Sequence, residues 1–260
     1  MFNMEIKKAN FINTTTALTV DSNSTTVVNM IDGNRDTEYA SNGYSGATAT
    51  NIIMTFSTPT VISRIYLVDH NLKDYSIFYD ETTTNTFTLT GYSTSTIAYT
   101  GNSETSQYFV VSSQTVSTVY LRANEAMTAS AEKVIADYYI GDLYHRFTQN
   151  PSADQYDPRI NETSFNHKMS DGGTVRYFLA DKFKASIQIP FVSSADRLEL
   201  KTAYKSRNPL QFTPLPTESD WGGDTYEVNW VNGFPFQKFT SNIIGNGFTG
   251  QIDFEETPGR

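Results

Sequence analysis

The densest run of chemistry-bearing side chains lies at Asn29–Ser41, NMIDGNRDTEYAS. Oxygen-rich runs of this kind suit a hard cation, since calcium takes several carboxylate, amide and carbonyl oxygens. Asp32, Asn34, Asp36 and Thr37 would supply some of them. The run is not an EF-hand loop, because no glutamate stands where the terminal bidentate ligand is needed. The same letters are also turn chemistry. Gly accepts positive φ, and flanking Asp and Asn side chains bond their own backbone. On residue types alone the turn comes first, with Tyr39 aimed inward as a core aromatic, and the metal comes second.

Other residues with catalytic potential do not assemble into a motif. The three histidines, His70, His145 and His167, are scattered and form no HxxxH or HxH pair. Each reads as a surface or turn residue. There is no GxSxG elbow and no phosphate-binding glycine loop. GNG at Gly245–Gly247 and the pairs beginning at Gly172 and Gly222 read as turns. Cysteine is absent, which removes disulfides, thiolate metal sites and a thiol nucleophile. The nearest carboxylates for sugar hydrolysis are Asp220, Asp224 and Glu227 around Trp221, and a solvated loop is the simpler reading of them. The expectation is a protein that is not an enzyme.

The elements that must carry these residues are strands. The chain has 260 residues, which favours two domains at roughly 100–200 residues each. Hydrophobic residues are only 38%, yet aromatics reach 13%, and large rings let a lean chain build a core. Thr, Tyr and Phe suit a pleated, half-exposed surface. The net charge of −9 argues against nucleic acid, which is bound by a basic surface. No segment has the apolar length of a membrane span, and the charged start MFNMEIKKANFIN lacks a signal-peptide core. The sequons at Asn13, Asn23 and Asn161 then read as chance matches in a Thr-rich chain.

Short apolar runs alternate with turns through the first half. NIIMTF, VISRIYLVDH, YSIFYD, TFTLT, TIAYT, QYFVVS, STVYLRA and KVIADYYIGDLY predict strands, with STPT a turn after Phe56. The polar stretch Phe147–Ile160 predicts a boundary, giving domains 1–147 and 148–260. Beyond it, Thr174–Val192 reads as a hairpin around Ala180–Lys182. One helix is expected near 194–206, capped by Ser193 with Asp196 three residues on, and stopped by Pro209. Ala195, Leu198, Thr202 and Ala203 follow its spacing. In FTGQIDFEE, Phe248, Gly250, Ile252 and Phe254 share one face by strict alternation.

Two resemblances sharpen this all-β reading. VVNMIDGNRDTEYAS resembles the loop of discoidin-type (F5/8 type C, galactose-binding-like) domains, with Tyr39 where that family usually has Trp. NIIMTFSTPTVISRIYLVDHNLKDYSIFYD and KVIADYYIGDL resemble its following strands. The resemblance covers roughly the first half and implies a jelly-roll β-sandwich. It also implies loops that bind sugars or lipid headgroups, and a structural calcium at Asp32, with Asp36 and Thr37 behind it. Tyr44 is the candidate aromatic platform for a sugar.

Ser164–Thr257, with IPFVSSADRLELKTAYKSRNPLQFTP and YEVNWVNGFPFQKFTSNIIGNGFTGQIDFEET, resembles minor or distal tail proteins of tailed bacteriophages. That implies a tail-type β-sandwich or barrel with one flanking helix, assembled as a cyclic homo-oligomer with other tail proteins. Trp221, Trp230, Phe234 and Phe236 are candidate interface aromatics, ordinary core being the simpler reading. The combined expectation is a virion tail protein, made in the host cytoplasm, whose outward sandwich touches host glycans. The rival is a carbohydrate-binding or adhesion module of a bacterial surface protein, and the third reading is a glycosidase.

Overall fold

The structure is a computed structural model and describes residues 3–12, 17–42, 48–80, 95–148, 150–152, 154–170, 173–214, 225–241 and 245–257. In chain order the strands are β1 (Glu5–Lys7), β2 (Ala17–Val20), β3 (Tyr39–Ala40), β4 (Thr50–His70), β5 (Leu72–Asp80), β6 (Ser95–Tyr99), β7 (Gln107–Ala126) and β8 (Val134–Gly141). They continue as β9 (Leu143–Arg146), β10 (Tyr156–Lys168), β11 (Thr174–Val192), β12 (Leu210–Thr213), β13 (Tyr226–Trp230), β14 (Gln237–Ser241) and β15 (Gly245–Glu256). One helix, α1 (Ser194–Ser206), lies between β11 and β12, and a 3-10 turn spans Val27–Ile31. The chain forms two compact units: Asn10–Leu143, and Met1–Ala9 together with Tyr144–Pro258. The architecture is all-β, with one sheet in each unit and one helix.

In the first unit the strand order is β3-β8-β4-β7-β5-β6, with β2 on β4. The predicted turn STPT does not interrupt β4. Its Pro59 has no N–H for a ladder, and it falls in the gap where the β4–β7 register jumps from Thr55 to Thr60. The strand runs on through it to His70. Its early residues, Ile52–Thr55, pair with β2 and its late ones, Arg64–His70, with β8. Ile52, Met54, Ile62, Ile65, Leu67, Val119, Leu121, Tyr75 and Tyr138 share a single core cluster. Among the described residues of this unit there is no α-helix, and the strands and the 3-10 turn, through Val27 and Met30, build the cluster.

The second unit orders its strands β10-β11-β15-β13-β12-β1-β9, with β14 also on β15. The expected hairpin inside Thr174–Val192 is corrected to one strand, β11. Asp181 is not followed by the glycine that a two-residue hairpin turn favours, and β10 runs alongside, Asn161–Thr163 pairing with Lys182–Ala180, with only a bulge at Thr163/Ser164. The reversal sits instead between Lys168 and Thr174, where Met169 donates to Gly173 at 2.7 Å. The polar stretch before it is likewise partly strand, since β10 starts at Tyr156. GNG at Gly245–Gly247 is corrected from a turn to the start of β15, paired with β14. The Phe191 ring lies over Gly247, 2.4 Å from where a Cβ would stand, so close packing explains that glycine.

Helix α1 begins as the sequence predicts: Ser193 is extended, and its hydroxyl accepts from Asp196 N at 3.1 Å. It stops at Arg207, in the left-handed region at φ 57°, before Pro209 acts. Its buried face is Leu200 and Ala203, while Leu198 is 65% exposed. These two residues join Ile187, Phe212, Val228, Ile252 and Phe254 in the second core. Phe183 stacks on Tyr226 there, ring centres 3.8 Å apart.

Candidate functional site

The Asn29–Ser41 loop is a self-bonded turn. Val27 and Met30 of the 3-10 turn are buried, which anchors its entry. Gly33 takes φ 74°, the conformation that favours glycine. Asp32 then accepts from Asn34 N and from the Thr37 hydroxyl, each at 2.7 Å. The Asn34 side chain accepts from Asp36 N at 3.1 Å, and its carbonyl accepts from the Thr37 hydroxyl at 2.8 Å. Both Asp32 oxygens are therefore engaged by the loop's own donors. The exit delivers Tyr39 fully buried, its hydroxyl donating to the Ser22 carbonyl at 2.9 Å. Burial pushes the Tyr39 phenol up to about 12.

A second polar group, absent from the sequence reading, lies where β2 ends. Asp21 accepts from the Asn51 backbone at 3.0 Å and from its side-chain amide. Tyr120 donates its hydroxyl to Asn51 Oδ1 at 2.5 Å. Register places Asn51 opposite Arg122 and Ser76 on its other side. Arg122 donates through Nε to Asn124 Oδ1 at 3.0 Å. Since residues two apart on a strand share a face, Tyr120 and Arg122 line up with Asn51, while Asn124, at the register break of β7 against β5, is tied to them through its hydrogen bond from Arg122. Lys133 approaches the same group. It is fully buried, donates to the Thr48 carbonyl at 2.5 Å, and has its pKa lowered by burial, opposed by Asp21 and Glu125. Half-buried Asp21, Asn51, Arg122 and Asn124 thus form a shelf of planar donors and acceptors held in place by strand register.

The sequence contains a faint signal for this shelf. Its members stand at strand ends, in DSN after β2, at the start of NIIMTF and in RAN closing β7. Polar residues there look like ordinary turn flanks until β4 and β7 are paired.

Two of the three histidines overturn their surface reading. His70 is 2% exposed and His145 4%, because both belong to strands packed on a core. His70 Nδ1 accepts from Leu72 N at 3.1 Å, and burial pulls its pKa down to about 4. His167 is exposed. Glu227 accepts from Gln211 at 3.3 Å and from Thr257 at 3.0 Å. Tyr44, Asp220, Trp221 and Asp224 lie outside the described residues.

No family model matches the chain, and no curated protein matches it. Several solved structures are similar to part of it. Chitosan-binding module 1 of a chitosanase/glucanase from Paenibacillus sp. IK-5 is 13% identical, at TM-score 0.42, over 51% of this chain and 98% of that one. The family 32 carbohydrate-binding module of C. perfringens NanJ, solved with galactose, is 13% identical at TM-score 0.40, over 54% and 99%. The Ruminococcus gnavus GH29 fucosidase E1_10125, solved with fucose, is 14% identical at TM-score 0.40, over 52% and 26%.

The tail reading is overturned. The three structures named are two sugar-binding modules and a glycosidase, and none of the three is a tail or virion component. The phage-tail resemblance of the second half, the virion location and the structural role in a tail are corrected accordingly. Of the aromatics expected at a ring interface, the three among the described residues, Trp230, Phe234 and Phe236, pack together. Phe236 is 5% exposed, and Trp230 and Phe234 lie against the same core, their ring centres 6.1 Å apart. Tyr204 of α1 meets both rings at 5.5 Å.

Proposed function

We propose that the first unit is a discoidin-like, jelly-roll carbohydrate-binding module of a bacterial surface or secreted protein, acting by adhesion without turnover. The observation that carries this reading is the shelf of Asp21, Asn51, Arg122 and Asn124, joined by hydrogen bonds and by the β4–β7 register. A carboxylate, two carboxamides and a guanidinium offer paired donors and acceptors, the complement of neighbouring sugar hydroxyls. Asn51 is already oriented by Asp21 and Tyr120, so little order is lost when a ligand binds. The discoidin-type pattern of Val27–Ser41 supports the same reading from the sequence.

In this mechanism Arg122 and Asn124 contact the glycan, while Asp21, Asn51 and Tyr120 hold the shelf. The test is a glycan array followed by calorimetry on the full chain, with chitosan oligosaccharides, galactose and fucose among the probes. Retention of a glycan, weakened about tenfold by Arg122→Ala at unchanged melting temperature, is the expected result. Binding that ignores Arg122→Ala and Asn124→Ala would remove the shelf from the mechanism. No glycan binding, or release of cleaved sugar, would overturn the reading.

A further inference from the structure

In the second unit a buried imidazole and two carboxylates converge. His145 stands on β9, 4% exposed, its ring edge-on to Phe147 at 4.9 Å. Its Nδ1 lies 2.8 Å from Glu199 Oε2. Asp196 and Glu199 sit three residues apart in α1, a spacing that puts both side chains on one helix face. One ligand atom from each of the three lies within 4.8 Å of the other two, the one such convergence among the described residues.

We propose that His145, Asp196 and Glu199 form a divalent-metal site of the nitrogen-and-carboxylate type, suited to zinc. Zinc holds imidazole nitrogen and carboxylate oxygen at about 2.0–2.2 Å, so at the tetrahedral angle two ligand atoms stand about 3.3–3.6 Å apart. His145 Nδ1 and Glu199 Oε2, in hydrogen-bond contact at 2.8 Å, reach that spacing by a small turn of the Glu199 side chain. Bringing the Asp196 oxygen to the same distance takes a side-chain rotation at the helix surface, where Glu199 is about half exposed and also free to adjust. Two carboxylates with one neutral imidazole balance a dication. Among the described residues neither carboxylate has a lysine or arginine ion partner. Arg197, between them in sequence, lies instead over the Phe234 and Phe248 rings at 5.3 and 4.6 Å. The buried imidazole separates this group from an ordinary acidic helix start. The helix dipole and the Ser193 cap account for Asp196, but they do not call for an inward-facing nitrogen. Three protein ligands leave a coordination position for water or an external group. The mixed donor set favours zinc over magnesium and calcium, which prefer all-oxygen sites.

The experiment is zinc calorimetry on the untagged, chelator-treated full chain, with melting curves in zinc, manganese, calcium and magnesium. One equivalent of zinc should bind and raise the melting temperature, with calcium and magnesium much weaker. Asp196→Asn and Glu199→Gln, both on the helix surface, should each weaken zinc about tenfold or more. Long-range nitrogen NMR should show the His145 ring, and not His70, moving on titration. Absence of stoichiometric binding overturns the site, and so does equal affinity in the Asp196→Asn/Glu199→Gln double variant. Because that variant leaves the buried His145 in place, its result holds even if His145→Gln fails to fold.

Discussion

At the scale of single residues, the first unit holds two groups whose environment makes a measurable claim. His70 is buried with Nε2 unpartnered, and the Tyr75 and Tyr138 hydroxyls are also buried and unpartnered. Its pKa falls to about 4 in the fold, against 6.5 in the unfolded chain. The unfolded state therefore binds the extra proton first. The stabilisation is complete above about pH 6.5 and drains away as pH falls toward about 4, by roughly 3 kcal/mol. Urea unfolding at pH 7.5 and 4.5 should show that loss, and His70→Gln should flatten it. Asp32 makes a different claim. Its two loop hydrogen bonds lose their acceptor in Asp32→Ala, so the variant should lose about 1–2 kcal/mol. Calcium has to compete with Asn34 and Thr37 for the same oxygens, so the loss should be equal with and without it in melting curves.

At the scale of elements, α1 is a segment whose ends are set locally. Ser193→Ala removes the acceptor for Asp196 N and should cost about 1 kcal/mol. The drop should appear in amide exchange across the first turn of α1, before any change at Leu200. The strands behave otherwise. Pro59 sits inside β4 because the register with β7 skips it, and Gly247 sits inside β15 because Phe191 fills the space of a side chain. Gly247→Ala should lower the melting temperature of the full chain, since the Phe191 ring has to move to admit a methyl group.

For the molecule as a whole, the notable long-range feature is β1. Glu5–Lys7 pair with Thr213–Gln211 and fill the gap between β12 and β9. Glu5 and Lys7 are fully buried there; Lys7 reaches Thr225 at 3.2 Å and Arg146 reaches Glu5 at 3.6 Å. Deleting residues 1–9 takes an interior strand out of the second unit, not a tail off the first. Hydrogen exchange should then rise sharply in β12 and β9, because their backbone groups lose ladder partners. An unchanged exchange pattern in those two strands would contradict the assigned pairing.

What the sequence determined by itself is local. Period-two alternation marks Phe248–Phe254 and most of the first-half strands, since side chains on successive strand residues face opposite ways. Ser193 marks a helix start because its partner is three residues away. Asp32-Gly33-Asn34 marks a turn because its donors and acceptors lie within five residues. The tertiary structure decided what depends on partners far along the chain. Asn51 and Arg122 become one shelf only when β4 and β7 pair, 71 positions apart in register. His145 looks like a surface histidine until β9 enters a sheet and α1 brings Glu199 beside it, 54 residues on. The phage-tail resemblance of the second half failed for a related reason. A pattern of strand, helix and aromatic strand states which residues face a core, and many assemblies of strands satisfy it.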